Sequence, residues 1–320
     1  MTLPTESHAL ATHPFWPTLR RFSRAARRVY PQPGWRQRFV DYGIFVARSL
    51  RHYRTADDWY AQLDGPLRAV AMANPSLYRK IIRPYLVPGL SDTRKLAILE
   101  EHYRFLLSHV AFTALPDICA DSGRVLLAVA GRHGEAYELR WLSDSKFRKE
   151  GEHSLGLYCA THRVMVSTIA FVMMAGADGR RTLTIGAAQG LPPGEDKRII
   201  VEVTKALHGL RPRALLLFAL QVMAQQWHLN GVRAVGNDRH ISTDRVYTFN
   251  RARRPTLSYD EFWRENAGVR ADDGFFDFPS VHVPRDLPSI QSHKRSQYRQ
   301  RYAMLDTLRT ALETALVQLQ

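Results

Sequence analysis

Cysteine is nearly missing: Cys119 and Cys159 are the whole complement of 320 residues, too few for a disulfide framework or a cysteine-held zinc. A reducing, cytoplasmic location is therefore expected. No apolar run approaches the roughly 20 residues of a bilayer-spanning helix; the longest are Val164–Ala175 and Ala214–Leu220. Met1 to Trp16 carry His, Pro and Glu without an apolar centre, so no secretory signal is expected there. The chain also lacks a Walker loop, a Gly-x-Ser-x-Gly elbow, a His-Glu-x-x-His helix and a strand-anchored Gly-x-Gly-x-x-Gly. Common ATPase, hydrolase, metalloprotease and dinucleotide-binding readings lose their support with these motifs. Lysine is scarce too, seven against 38 arginines.

What is present is an ordinary globular composition with an unusual charge. A hydrophobic fraction of 45% and a charged fraction of 23% argue against a disordered chain. The net charge is +15, carried by a side chain whose planar fork of donors suits phosphate and carboxylate. Anionic partners are expected: RNA, a phosphorylated cofactor, or an anionic membrane face, the last placing the protein at the periphery of the inner membrane. A GC-rich genome accounts for arginine over lysine but not for the net excess.

The pattern along the chain changes near residue 115. Residues 1–115 read as a mostly helical, basic region. Residues 17–54 hold ten arginines against one acid, Asp41, with Trp35, Phe39, Tyr42 and Phe45 interleaved; Arg20, Arg21, Arg24, Arg27 and Arg28 recur at helical spacing. Such a helix grips phosphates or simply presents a solvated face. Ser91-Asp92 offers a cap before a helix over Thr93–Val110, whose stripe is Leu96, Leu99, Tyr103, Leu106 and Leu107.

Residues 116–320 read as a mixed α/β (α+β) core. Val125–Gly131, Glu135–Trp141, His153–Cys159, Val164–Met174 and Arg181–Ala187 alternate as strands, and the short turns at Arg132-His133-Gly134 and Gly176-Ala177-Asp178-Gly179 demand antiparallel pairing. Helices are expected over Asp196–His208 and Arg213–Asn230, then a strand over Val232–Gly236. An antiparallel sheet thus runs through a helix crossover to a further strand.

Four clusters between Gln189 and Tyr302 carry the chemistry that composition allows. In Lys205-Ala206-Leu207-His208-Gly209-Leu210-Arg211-Pro212-Arg213 a helix breaks at Gly and another starts at Pro, so free backbone N–H groups and two arginines gather at a helix start, a geometry that binds anions. Asn237-Asp238-Arg239-His240 follows a strand, where α/β crevices place reactive groups, and His240 is a candidate general base. In Tyr259-Asp260-Glu261-Phe262-Trp263-Arg264-Glu265, Asp260 is either half of an acid pair or a helix cap. His293 to Tyr302 places Arg295, Tyr298 and Tyr302 on one helical face, for phosphate or for solvent.

Together these clusters, with Ile185-Gly186-Ala187-Ala188-Gln189-Gly190, Tyr259-Asp260-x-Phe262-Trp263-x-Glu265 and Lys294-Arg295-Ser296-x-Tyr298, resemble the VirK/YbjX family of Gram-negative bacteria from about His102-Tyr103 onward. The resemblance implies an association with virulence, the cell envelope and resistance to cationic antimicrobial peptides. It names no reaction. The order of elements also resembles a GNAT-like acyltransferase core, which implies a donor's phosphates at the helix start near Arg211. The usual Arg/Gln-x-x-Gly-x-Gly/Ala loop of that fold is missing. Acyl-carrier protein and aminoacyl-tRNA therefore stand beside acyl-CoA as donors, none of them tightly bound. On this reading Gln189, Lys205, His208, Arg211 and Arg213 bind the donor. Trp263, Glu265, Lys294, Arg295 and Tyr298 bind the acceptor, an amine or hydroxyl, and His240 with Asp260 moves the proton; no metal is expected. The alternative is a non-catalytic envelope factor whose basic face holds anionic lipid, RNA or an acidic protein. Convergence separates the two, since an enzyme needs His240, Asp260, Arg211 and Arg213 around one pocket.

Overall fold

A computed structural model describes residues 13–31, 35–176, 178–244 and 258–320. Met1–Thr12 and Ala177, named above, lie outside them. The helical region opens with α1 (Phe15–Val29), α2 (Trp35–Arg51), α3 (Tyr53–Asp64) and α4 (Arg68–Ala73). After α5 (Asp92–His109) and α6 (Leu115–Ile118) the sheet begins. The side chain of Ser91 accepts the N–H of Arg94 at 3.2 Å, so the expected cap forms and starts α5 one residue early.

The strands are β1 (Arg124–Ala130), β2 (Ala136–Leu142), β3 (His153–Cys159), β4 (Val164–Ala175), β5 (Arg181–Gln189), β6 (Val232–Val235), β7 (Val269–Arg270) and β8 (Phe275–Phe278). They form one sheet in the order β1-β2-β3-β4-β5-β6-β8-β7. The first five strands make an antiparallel meander, and Gly134 and Gly179 take the positive φ that their tight turns require. β5 and β6 are parallel, paired from Leu183↔Val232 to Ile185↔Ala234. A parallel neighbour needs a crossover, supplied by α7 (Arg198–Ala206) and α8 (Pro212–Gln226). The one antiparallel sheet expected over Val125–Ala187, joined by helices to Val232–Gly236, is what the chain forms.

Two features go further than the sequence pattern did. β8 pairs antiparallel with β6 and extends the sheet beyond the crossover strand. A long C-terminal helix, which follows α9 (Tyr259–Glu265) in the chain, spans Arg295–Val317 as α10 and packs on α8 and β1. The second crossover helix ends at Gln226 rather than Asn230 because His228 adopts a φ of 53° and turns the chain out.

The helical region and the sheet share one continuous apolar core, from Phe22 to Leu319. His102 of α5 lies 5.0 Å from His153 of β3, and Trp227 after α8 lies 5.5 Å from Trp141 of β2. Because His153 and Trp141 also meet, at 5.6 Å, α5 and α8 cover the same face of the sheet. At the heart of this junction Lys80 and Glu152, both buried, pair at 3.0 Å. Tyr103 donates to the other carboxylate oxygen at 2.8 Å, and the Lys80 ammonium donates to the Gly151 carbonyl at 2.6 Å. Burial pulls the Lys80 ammonium below its usual value while Glu152 opposes the shift, and it drives the Tyr103 phenol up.

Candidate functional site

A concavity that gathers charged groups lies between α8, α10 and the chain that follows β8. It is a cavity of about 620 Å³, within the range of small-molecule sites. Its apolar lining includes Leu217, Phe218, Val283 and Leu305; its charged lining is Arg211, Arg264, Arg285, Arg301 and a single carboxylate, Glu265.

Local sequence explains how these groups are aimed. The break between α7 and α8 needs His208 and Gly209 in left-handed conformation, at φ of 52° and 74°. A Cβ on Gly209 would also come within 2.6 Å of Gln297 and 2.9 Å of Arg301, so glycine lets α10 approach the corner. Arg301 closes that approach, donating Nε and Nη2 to the His208 carbonyl at 3.1 and 3.0 Å while its guanidinium stacks on Tyr298 at 4.2 Å. Arg211 caps α8 as the residue before Pro212 and pairs with Glu265 at 2.7 Å. Arg285 and Arg301 meet no carboxylate among the described residues. His282, also in the lining, sits edge-on to Phe218 at 5.4 Å and is held below its ordinary pKa by burial and by Arg309.

Of the residues singled out in the sequence, Arg211, Glu265 and Tyr298 line this cavity, and His208 borders it through its carbonyl. Arg213 turns the other way. Its guanidinium lies over Phe262 at 4.9 Å and within reach of Gly190, burial depresses its pKa, and its Nε has no partner among the described residues. Gln189 is exposed at the end of β5, its carbonyl accepting from Ser167 at 2.8 Å, and Lys205 is exposed on α7. Arg295 donates to the carbonyls of Ile290 and Pro288 at 2.9 and 3.1 Å, which ties down the start of α10, and Lys294 is exposed beside it.

The two residues offered for proton transfer sit in a different place. His240 is 5% exposed; its Nδ1 accepts the Ser242 N–H at 3.2 Å, and its Nε2 is buried with no partner among the described residues. Burial pushes its pKa down to about 4. Asp260 accepts the Asn237 N–H at 2.7 Å and Arg270 at 2.8 Å, while the Asn237 side-chain oxygen takes the Tyr259 N–H at 2.9 Å. This reciprocal pair docks α9 onto the end of β6. The cap of α9 is Ser258, which accepts the Glu261 N–H at 3.3 Å, so Asp260 is not the helix cap. Trp263 is fully buried, donates to the Val235 carbonyl at 2.9 Å and stacks on Tyr259. Among the described residues this cavity takes in Arg211 but not His240, Asp260 or Arg213, so it does not gather the four groups on which an enzyme using all of them would rely.

Sequence reasoning missed His282, Arg285 and Arg264 as members of one site. The signal was present: Phe275-Phe276-Asp277-Phe278 after Gly274 is a short strand with a turn before it, and the segment beyond its end lines the cavity.

With the geometry in place, the chain can be set beside known proteins. Residues 34–314 match a family described as "Protein of unknown function (DUF535)". The chain belongs to this family. It is 28% identical over 272 residues, 84% of its own length and 82% of the relative's, to "Uncharacterized protein YbjX" of Escherichia coli K12, which supports the VirK/YbjX resemblance. A stretch of 131 residues is 34% identical to an uncharacterized protein of Haemophilus influenzae, covering 39% of this chain and 41% of that one. Gly186, in one block that carried the resemblance, has a physical reason: a Cβ there would overlap the Glu150 carbonyl, which packs directly on β5.

Proposed function

We propose that this protein binds an acidic amphiphile, an apolar chain with a phosphate or carboxylate head, in the cavity between α8 and α10. One observation carries the reading: four guanidinium groups surround an apolar lining and face a single carboxylate. The forked donors of Arg285 suit a phosphate or carboxylate head, Arg301 adds positive charge while its Nε and Nη2 hold the His208 carbonyl, and Leu217, Phe218 and Leu305 suit the chain. Acyl-CoA, acyl-carrier protein and anionic lipid all present this chemistry. The test is binding of palmitoyl-coenzyme A and of lysophosphatidylglycerol by calorimetry, with neutral lysophosphatidylcholine as control. Both anionic probes should bind and the control should not, and Arg285→Glu should weaken binding at least tenfold, roughly 1.4 kcal/mol. Equal affinity for the neutral probe, or an unchanged Arg285→Glu variant, removes the assignment.

A second reading, acyl transfer on a GNAT-like core, has its own support in the meander, the single parallel pair β5 and β6 and the crossover between them. On this reading an amine or hydroxyl attacks the donor's carbonyl while a base takes its proton. His282 serves better than His240, because it lines the cavity and burial keeps its imidazole neutral. Release of free thiol from palmitoyl-coenzyme A in the presence of amine acceptors, lost in His282→Gln, would support transfer. Binding without release leaves the protein a carrier or sensor of its ligand.

A further inference from the structure

The arginines of the N-terminal region are sorted by the fold. On α1, Arg21 and Arg28 turn inward and pair with Asp57 and Asp64 of α3. Trp16, Arg20, Arg24 and Arg27 form the opposite stripe and are exposed. Neither Arg20 nor Arg27 meets a carboxylate among the described residues, and Arg24 reaches Asp64 only at 3.8 Å. The inward cations hold the helices together. Among the described residues the outward ones make no pair closer than that of Arg24.

α2 lies beside α1, with Tyr42 donating to the Ser23 carbonyl at 3.2 Å and Phe45 against Tyr30 at 6.4 Å. Its inward face is thereby filled. Among its described side chains the outward face presents Phe39, 75% exposed, Val40, 60%, and Ile44, 46%, with Gly43 and Ala47 between them. Arg48 and Arg51 are exposed toward the end of the helix, and Trp16 at the start of α1 is 69% exposed. Large apolar side chains at these levels of exposure, grouped on one helix, mark an interaction surface.

We propose that α1 and α2 form a docking surface for an anionic lipid bilayer, which takes the apolar face of α2 at the level of the headgroups while the outward arginines of α1 meet lipid phosphates. Charge and apolarity together select this occupant. A nucleic acid explains Arg20, Arg24 and Arg27 but not exposed Val40 and Ile44. A second copy of the chain would bring the same uncompensated cations against one another. An anionic bilayer accepts both halves, because apolar side chains enter the acyl boundary and each basic residue gains from the surface potential.

The experiment is co-sedimentation of the full chain with vesicles of phosphatidylcholine alone and of phosphatidylcholine with phosphatidylglycerol. The protein should pellet with the anionic vesicles, weakly or not at all with the neutral ones, and less as salt is raised. Arg20→Gln with Arg27→Gln should lower partitioning about 25-fold, about fivefold for each basic residue removed. Phe39→Ser with Ile44→Ser should abolish pelleting, and all four positions are exposed enough to leave the fold unchanged by circular dichroism. The proposal is overturned if the wild type stays in the supernatant with anionic vesicles at low salt, or if either double variant pellets as wild type does. It is equally overturned if light scattering shows a dimer that Phe39→Ser with Ile44→Ser turns into a monomer while vesicle binding persists. In that case the apolar face belongs to a second copy.

Discussion

Two charge clusters in this molecule are built on opposite plans. Around Glu152, in the junction between the helical region and the sheet, one carboxylate and one ammonium are buried together and their remaining bonding capacity goes to Tyr103 and Gly151. Around the cavity beside α8, four arginines stand with one carboxylate, and two of them have no acidic partner among the described residues. A cluster whose charges are spent on one another holds a fold together. A cluster with cations to spare holds something else.

The largest expected effect breaks the first cluster. Lys80→Ala leaves Glu152 buried with Tyr103 as its neighbour and should cost about 3–5 kcal/mol, as removal of one partner of a buried pair does. Urea denaturation measures it. Lys80→Met with Glu152→Gln, which removes both charges and keeps an acceptor for Tyr103, should recover much of that loss. A single-variant cost below about 1 kcal/mol would mean that Glu152 is not held by Lys80.

The next effect is a pH dependence that belongs to buried neutral histidines. In the folded chain His240 is pushed down to about 4 from 6.5, and His153 to about 3, both by burial. The unfolded chain therefore binds protons that the folded chain refuses. The stabilisation is present in full above pH 6.5 and is lost as the pH falls toward 4. His240 alone accounts for about 3 kcal/mol of that loss. His240→Asn, whose side-chain oxygen still accepts the Ser242 N–H, should flatten the curve of stability against pH by that amount. An unchanged acid limb would show that other groups carry the transition.

How much of this was legible in sequence follows the range of the interactions. The five meander strands, the capped helix α5 and the break at Gly209 are written in alternation, caps and turn residues within a few positions of one another. Lys80 and Glu152 are 72 residues apart, and nothing near either announces the other. His240 and Asp260 sit in polar clusters after a strand and at a helix start, the places where reactive groups are sought. What they do was decided elsewhere, by Asn237 and Arg270 on Asp260 and by Ser242 and Tyr259 on His240. The cavity was legible only in pieces: Arg211, Glu265 and Tyr298 come from three separate segments. The packing of α10 on α8 brings them together, and a helix without caps or breaks gives no local sign of where it lands.

The smallest expected effect on stability is the one that separates the two plans most sharply. Arg285 and Arg264 are exposed, Arg264 meets Asp260 only at 3.7 Å, and Arg285 is bonded through its backbone carbonyl by Tyr302 rather than through its guanidinium. Arg285→Gln with Arg264→Gln should therefore change unfolding free energy by no more than about 0.5 kcal/mol, the usual range for surface substitutions. The same variant should lose most of its affinity for lysophosphatidylglycerol, because each guanidinium is a charge-assisted donor to the head group. Measuring both quantities on one preparation tests the comparison directly. A fall in stability of about 2 kcal/mol or more would place these arginines with Lys80 among the groups that hold the fold, whereas loss of binding at constant stability identifies cations kept for a ligand.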